Sequence, residues 1–368
     1  MAQVKISDIA DADAGAESRL LGVDALGNAR LFSAAAIPDG VIDGPGVQIS
    51  VSALTQIQPN ITFTTTAVGD VPAGGGDRPT LALSNNSLTH AKVLYVPAGF
   101  AGHCWWMAAT PFFGVVGSDP QYENPHVFYS DDGLAFFESA GVNPIDLTVG
   151  DSDSSNYYSD THLVIADDGW MYCIYRSVGS QIGGGTSNWY RRTRDGVSWS
   201  DRVFIISSLS QVSPAVYKHK SAYIYYDVVL NPSGPSTRGV QRLCSFSGPV
   251  SGYDSRSTQN FITFDSEPWG ASDGPWHIDV DFIGGVHLAL INTGPKAASG
   301  GIKLWLAYSF DGWAYRVIDQ QIGPAGMYRS CITPIRVGQR YIDVRVYMCS
   351  GGQGVISPYD CRLGVSPL

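Results

Sequence analysis

Five polar residues stand near the start of successive apolar runs in this 368-residue chain: His90, Asp160, His162, His277 and Asp279. Imidazoles and carboxylates that converge can hold a metal ion or exchange protons as general acids and bases. They can also simply solvate the polar mouth of a water-filled channel. All three readings remain open at this level. A metal would draw its ligands from His90, His162, His277 and Asp279. Hydrolysis of a glycosidic bond needs two carboxyl groups flanking it, which Asp160 and Asp279 could supply, with Glu123 or His277 in support.

Side chains far apart in sequence meet only if the fold brings them to one axis, and the chain carries a repeat that does so. The motif [S/T]-x-D-G-x-x-aromatic occurs three times, as Ser130-Asp131-Asp132-Gly133, Thr193-Arg194-Asp195-Gly196 and Ser309-Phe310-Asp311-Gly312, followed by Phe136, Trp199 and Tyr315. In each turn the aspartate can accept backbone N–H bonds, and glycine takes the position with positive φ. The second gap is roughly twice the first, so the unit is about 58 residues, and "CSFSGPVSGY" supplies a degenerate turn between them at Ser245-Phe246-Ser247-Gly248. Five pairs of apolar strands precede these turns, beginning "AKVLYVPAGF", "THLVIADDGW", "PAVYKHKSAY", "IDVDFIGGVH" and "CITPIRVGQR". The expected fold is therefore all-β, a five-bladed β-propeller of four-stranded antiparallel blades. Its last blade lacks an outer strand, which residues 78–86, "RPTLALSNN", are expected to provide. The implied organisation is an N-terminal segment over 1–37, a Gly/Pro/Thr-rich linker over 38–87 and the propeller over 88–368.

Composition fits that body. With 44% hydrophobic and 15% charged residues the chain can bury a large core. A net charge of −10 without a basic patch argues against nucleic acid or anionic lipid as partner. Acidic Asp8, Asp11 and Asp13 follow Lys5 where a secretory signal would be apolar, and no apolar run is long enough to span a bilayer. The six cysteines form no CxxC pair and read as buried thiols.

The propeller's connections should divide by face, short turns on one side and long loops such as "TPFFGVVGSDPQYEN" and "DSEPWGASDGPW" on the other. Long loops on a rigid scaffold are where binding groups concentrate. There lie Tyr122, Tyr157, Tyr158, Trp269, Asp273, Trp276, Tyr328 and Arg329, joined at the mouth by His90 and His162. Aromatic platforms beside polar groups suit the C–H face and hydroxyls of a sugar. Trp105, Trp106, Trp170 and Trp313 fall in strands or tight turns and read as packing between blades.

The S-x-D-G-x-x-W turns on five blades resemble the family 43 and related glycoside hydrolases, over roughly residues 88–368. That resemblance implies an Asp base, a pKa-tuning Asp and a Glu acid, one from the innermost strand of each of the first three blades. Blade two offers Asp160, but blade one offers no Asp and blade three no Glu, so two of the three roles do not transfer. The opening residues, "VKISDIADADAGAESRLLGVDALGNARLFSAAAI", resemble the virion-anchoring segments of tailed-phage tail fibres and tailspikes, including a small hairpin at "LLGVDALGNARLF". The fibres it resembles are commonly trimeric. Together these readings point to a receptor-binding spike on a virion that binds host surface polysaccharide, contacts other virion proteins through its N-terminus and requires no cofactor, with a metal ion in the channel as an option. The alternatives are a depolymerase on the same fold and a structural decoration protein.

Overall fold

The computed structural model describes residues 19–23, 29–33, 47–64, 88–111, 123–139, 141–146, 157–179, 186–208, 212–230, 238–253, 260–296, 303–338, 340–350 and 355–367. Strands β1 (Arg19–Val23) and β2 (Ala29–Ser33) form the small antiparallel hairpin expected near the N-terminus. Three short strands follow: β3 (Val47–Val51), β4 (Thr55–Gln56) and β5 (Thr62–Thr64).

The five blades come next in order around a ring. Blade one comprises β6 (Leu88–Phe100), β7 (His103–Pro111), β8 (His126–Ser130) and β9 (Ala135–Phe137), with β5 added in parallel at its outer edge. Blade two comprises β10 (Tyr157–Ile165), β11 (Met171–Val178), β12 (Thr186–Thr193) and β13 (Val203–Ser208). Blade three has β14 (Val212–His219), β15 (Ala222–Leu230) and β16 (Arg238–Ser245). In blade four, β17 (Thr263–Phe264) pairs in parallel with the outermost of β18 (Asp273–Ile283), β19 (Val286–Pro295), β20 (Lys303–Ser309) and β21 (Ala314–Ile322). Blade five contains β22 (Cys331–Gly338), β23 (Tyr341–Cys349) and β24 (Ile356–Pro367).

Two details differ from the sequence expectation. The outer strand of blade five does come from upstream, but it is β3, which pairs antiparallel with β24 from Val51↔Leu363 to Val47↔Pro367. Residues 78–86 lie outside the described residues. Alternation in "VQISV", with Ile49 buried between exposed Gln48 and Ser50, is the period-2 pattern of a half-buried edge strand. In blade three the Ser245-Ser247 turn forms, with the Ser247 amide donating to Ser245 Oγ at 3.1 Å. The fourth strand is reduced, among the described residues, to an isolated bridge between Gln241 and Phe261; Ser247 lacks the carboxylate through which the other turns gather two amides.

The three Asp-Gly turns are near copies. Asp132, Asp195 and Asp311 each accept two amides through Oδ1 at 2.7 to 2.9 Å, and the Ser or Thr two residues earlier takes the glycine amide at 2.9 Å. The glycines have φ of 71°, 73° and 73°, a region open to them because they lack Cβ. A Cβ on Gly196 would also meet Trp106 of blade one at 2.2 Å, so the turn of one blade seats against its neighbour. Amide donation holds all three carboxyls below the usual range, in Asp132 and Asp311 against an opposing push from burial. A depressed folded pKa contributes stability above the unfolded value, 3.8 here, and loses it as pH falls through the folded value. The urea midpoint should therefore drop below about pH 4, and the triple Asp132→Asn, Asp195→Asn, Asp311→Asn variant should show a flatter acid limb.

The core is divided into five apolar clusters, each between neighbouring blades. Trp106, Leu163 and Cys173 join blades one and two; Val164, Ile174 and Tyr225 join two and three; Ala215, Ile278 and Ile291 join three and four. Leu288, Ile332 and Val344 join four and five, and Val93, Met107 and Tyr347 bring five back to one. The last of these closes the ring. Innermost strands such as β10 are buried almost end to end, because their two faces pack on neighbouring blades and one edge lines the axis.

Candidate functional site at the channel mouth

Near their N-terminal ends, three of the innermost strands bring polar side chains together. His90, Asp160 and His277, from blades one, two and four, offer ligand atoms that all lie within 4.8 Å of one another, and all three side chains are buried. His90 Nε2 and His277 Nδ1 each lie 3.6 Å from Asp160 Oδ1. Three atoms of the cluster, His90 Nε2, Asp160 Oδ1 and His277 Nε2, have no hydrogen-bond partner among the described residues. Buried polar atoms rarely stay unpaired without a reason.

Each of the three has its other heteroatom engaged. His90 Nδ1 contacts Thr110 Oγ1 at 2.9 Å, His277 Nδ1 contacts Ser213 Oγ, and Asp160 Oδ2 accepts from Arg176 Nε at 2.9 Å. This is how an outer shell orients metal ligands, fixing tautomer and direction through the atom not used for binding. Burial drives the His90 imidazole down to about 3, against the pull of Asp160, and takes His277 well below its usual range. Both are neutral at pH 7, as metal-binding imidazoles must be. Burial alone would raise the Asp160 carboxyl, but the Arg176 guanidinium, with Arg329 behind it, holds it well below the usual carboxylate range. Two neutral imidazoles and one carboxylate are a donor set that would hold a divalent ion of the zinc type.

Around the cluster stand several residues singled out from sequence. The Tyr328 ring lies 4.6 Å from that of His277 and 5.2 Å from that of His90. Trp276 donates Nε1 to Tyr328 Oη at 3.4 Å. Glu123 is buried, and burial raises its carboxyl well above the usual range, with Arg176 opposing and Asp160 adding to the rise. Arg176 sits 5.9 Å over the Tyr157 ring.

The structure separates other candidates from this group. His162 and Asp279 follow His90's neighbours one step deeper in the channel, where Lys92 Nζ donates to Asp279 Oδ2 at 2.9 Å and His162 Nδ1 lies 3.5 Å from Asp279 Oδ1. The five-residue ring foreseen from sequence is thus two layers, and Asp279 is engaged with a lysine instead of facing Asp160 across a cleft. Tyr158 and Trp269 are core residues, packed on Tyr175 and Trp305 respectively. Asp273 pairs with Lys303 at 3.1 Å. Arg329 is buried and turned toward backbone carbonyls. Tyr122 lies outside the described residues, as do most of the long connections. Sequence reasoning missed Arg176 and Thr110. A lone arginine inside the apolar run "MYCIYRSV" was the available signal, since a charge in such a strand needs a buried partner.

No family model and no curated protein matches this sequence. Among solved structures, the chain is similar to an N-acetylgalactosamine deacetylase from F. plautii, solved in complex with blood group B trisaccharide. The two share 17% identity over 86% of this chain and 96% of that one, with a TM-score of 0.63. An α-L-arabinofuranosidase from Lactobacillus brevis matches 77% of this chain and 90% of its own at 10% identity and a TM-score of 0.51. A GH93 α-L-arabinofuranosidase of Fusarium graminearum is more distant, at 13% identity over 73% and 76% and a TM-score of 0.44. The chain is a five-bladed β-propeller. These neighbours are carbohydrate-active propeller enzymes, and at such identities the likeness establishes the fold alone.

Proposed function

We propose that this protein removes an acyl group from an acetylated amino sugar of a surface glycan, with a divalent metal ion held by His90, Asp160 and His277. The observation that carries this is the meeting of three buried side chains whose ligand atoms lie within 4.8 Å of one another, each with one polar atom unpartnered among the described residues and another tied down. The choice of an N-acyl substrate is supported by the likeness to the deacetylase. A bound ion of this kind supplies Lewis acidity and lowers the pKa of coordinated water toward about 7. The chain's own residues do the rest. Arg176 keeps Asp160 ionised, and Thr110 and Ser213 hold the imidazoles in register. Glu123, whose carboxyl burial raises well above the usual range, would protonate the departing amine nitrogen as the C–N bond breaks, after water has added to the carbonyl carbon. The half-buried rings of Tyr328 and Tyr157 offer faces to the sugar, with buried Trp276 behind Tyr328.

Glycosidic cleavage by Asp160 with Asp279 is disfavoured, because Lys92 and His162 occupy Asp279. A second reading is a receptor-binding spike of a phage or phage-like particle that holds host polysaccharide without altering it. It is favoured by the resemblance of residues 1–37 to virion anchors, and many copies per particle would turn weak sugar affinity into avidity. On the spike reading the partners are a host surface glycan and, through the N-terminus, other virion proteins, with a homotrimer as one option for its assembly.

Incubating the protein with N-acetylated glycans should release acetate; EDTA should abolish the release and Zn²⁺ restore it. Shortened chains without acetate would favour the depolymerase. Binding on a glycan array with no product of either kind would replace the enzyme by the adhesin.

A further inference from the structure

His90, Asp160 and Ser213 share an unusual backbone. Their φ values are 55°, 55° and 58°, a left-handed region that residues with a side chain rarely enter and that tends to mark functional sites. They occupy the same place in blades one, two and three. The strand ladders there skip from Thr89 to Lys92, from Ser159 to His162 and from Val212 to Ala215. Each bulge takes two residues out of regular pairing and re-aims a side chain. It also removes a carbonyl from the regular ladder, and such a group still needs a donor.

One side chain reaches all three bulges, joined at His90 O by the Thr161 hydroxyl, which donates at 2.9 Å. Arg329, on the connection entering blade five, is 1% exposed. Its Nη1 donates to His90 O at 3.3 Å and to Thr161 O, and its Nη2 donates to Pro214 O at 3.1 Å. The planar guanidinium carries donors in a fixed fork that an ammonium cannot reproduce.

We infer that Arg329 is the positioning residue of the site: it holds the three bulges in the left-handed conformation that aims His90, Asp160 and Ser213 at the axis. The functional consequence rests on the metal reading above, since two of these residues are the ligands and the third orients His277. Arg329 itself touches neither metal nor substrate.

The test compares full-length Arg329→Lys with Arg191→Lys, whose arginine pairs with Asp146 at 2.9 Å in blade two. Three quantities are measured: Zn²⁺ affinity by calorimetry, amide hydrogen exchange across 88–92, 158–162 and 212–215, and global stability in urea. Arg329→Lys should bind Zn²⁺ about 10- to 100-fold more weakly, the usual cost of losing an outer-shell partner. Its three bulges should exchange at least about tenfold faster than the rest of the sheet. Arg191→Lys should lose stability without changing either quantity. Bulges that exchange as in the unsubstituted protein, or exchange that rises uniformly with lost stability, would overturn the assignment. If the lysine variant does not fold, the uncharged Arg329→Gln takes its place; failure of both, with Arg191→Lys folded, would make Arg329 a structural residue only. An unsubstituted protein that binds no divalent ion would defeat the metal reading, while the exchange comparison would still decide Arg329.

Discussion

Asp160→Asn protein should fold, bind glycan and release acetate at least about a thousandfold more slowly than the unsubstituted chain. Metal-ion stabilisation of developing charge is worth several kcal/mol, and about 4 kcal/mol corresponds to three powers of ten in rate. Asparagine is chosen because it tolerates the left-handed conformation that residue 160 adopts at φ 55°. It also keeps an oxygen for the Arg176 guanidinium, 2.9 Å away in the native protein. What disappears is the negative charge between two neutral imidazoles. Initial rates with saturating substrate and added Zn²⁺, beside a urea titration, separate this from unfolding. Full activity in the folded variant would remove Asp160 from the chemistry.

The largest effect on stability is expected one layer deeper. Lys92 is 1% exposed and Asp279 is 2% exposed. The lysine gives one donor to Asp279 at 2.9 Å and a second to Ile332 O at 3.3 Å. Removing one member of a buried pair leaves the other charge uncompensated, so Lys92→Met should cost about 3–5 kcal/mol. Adding Asp279→Asn removes the buried stranded charge, leaving only the part-exposed Asp281, 3.6 Å from the lysine in the native protein, and keeps an acceptor for the Ile332 amide, bonded at 2.9 Å. The double variant should recover most of the loss. By contrast, breaking the exposed Arg336–Asp343 pair should cost less than about 1 kcal/mol. Urea midpoints of the four proteins check the ordering, and a single variant as stable as its parent would show that Asp279 can shed its charge in place.

The blade count was readable because it rests on local chemistry. An Asp-Gly turn needs only its own residues to form, so three copies and a weakened fourth could be counted from sequence. The closing strand was harder: a five-residue edge such as Val47–Val51 carries little signal apart from alternation, and "RPTLALSNN" alternates comparably. His90, Asp160 and His277 were recognisable as polar starts of apolar strands. Their separation from His162 and Asp279 was not, because it depends on bulges at positions 90, 160 and 213 that no residue type announces. Histidine, aspartate and serine are not glycine, and nothing in them signals positive φ. Trp269 and Tyr158 misled for a related reason: residence near a long connection says little about which way a ring turns.

The pairing of β3 with β24 also bears on how the protein is made. Ser52 and Arg362 are 310 residues apart in sequence, yet Ser52 Oγ accepts the Arg362 amide at 3.0 Å. During synthesis the first of these leaves the ribosome long before the second. The seam can be sewn only after nearly the whole chain has emerged, and loop closure over such a distance is slow. Until then, blade one lacks its blade-five neighbour and presents Val93, Met107 and Trp105 to solvent. A nascent chain of this design is a natural client for chaperones, and truncated products should be cleared by proteases and not accumulate as partial rings.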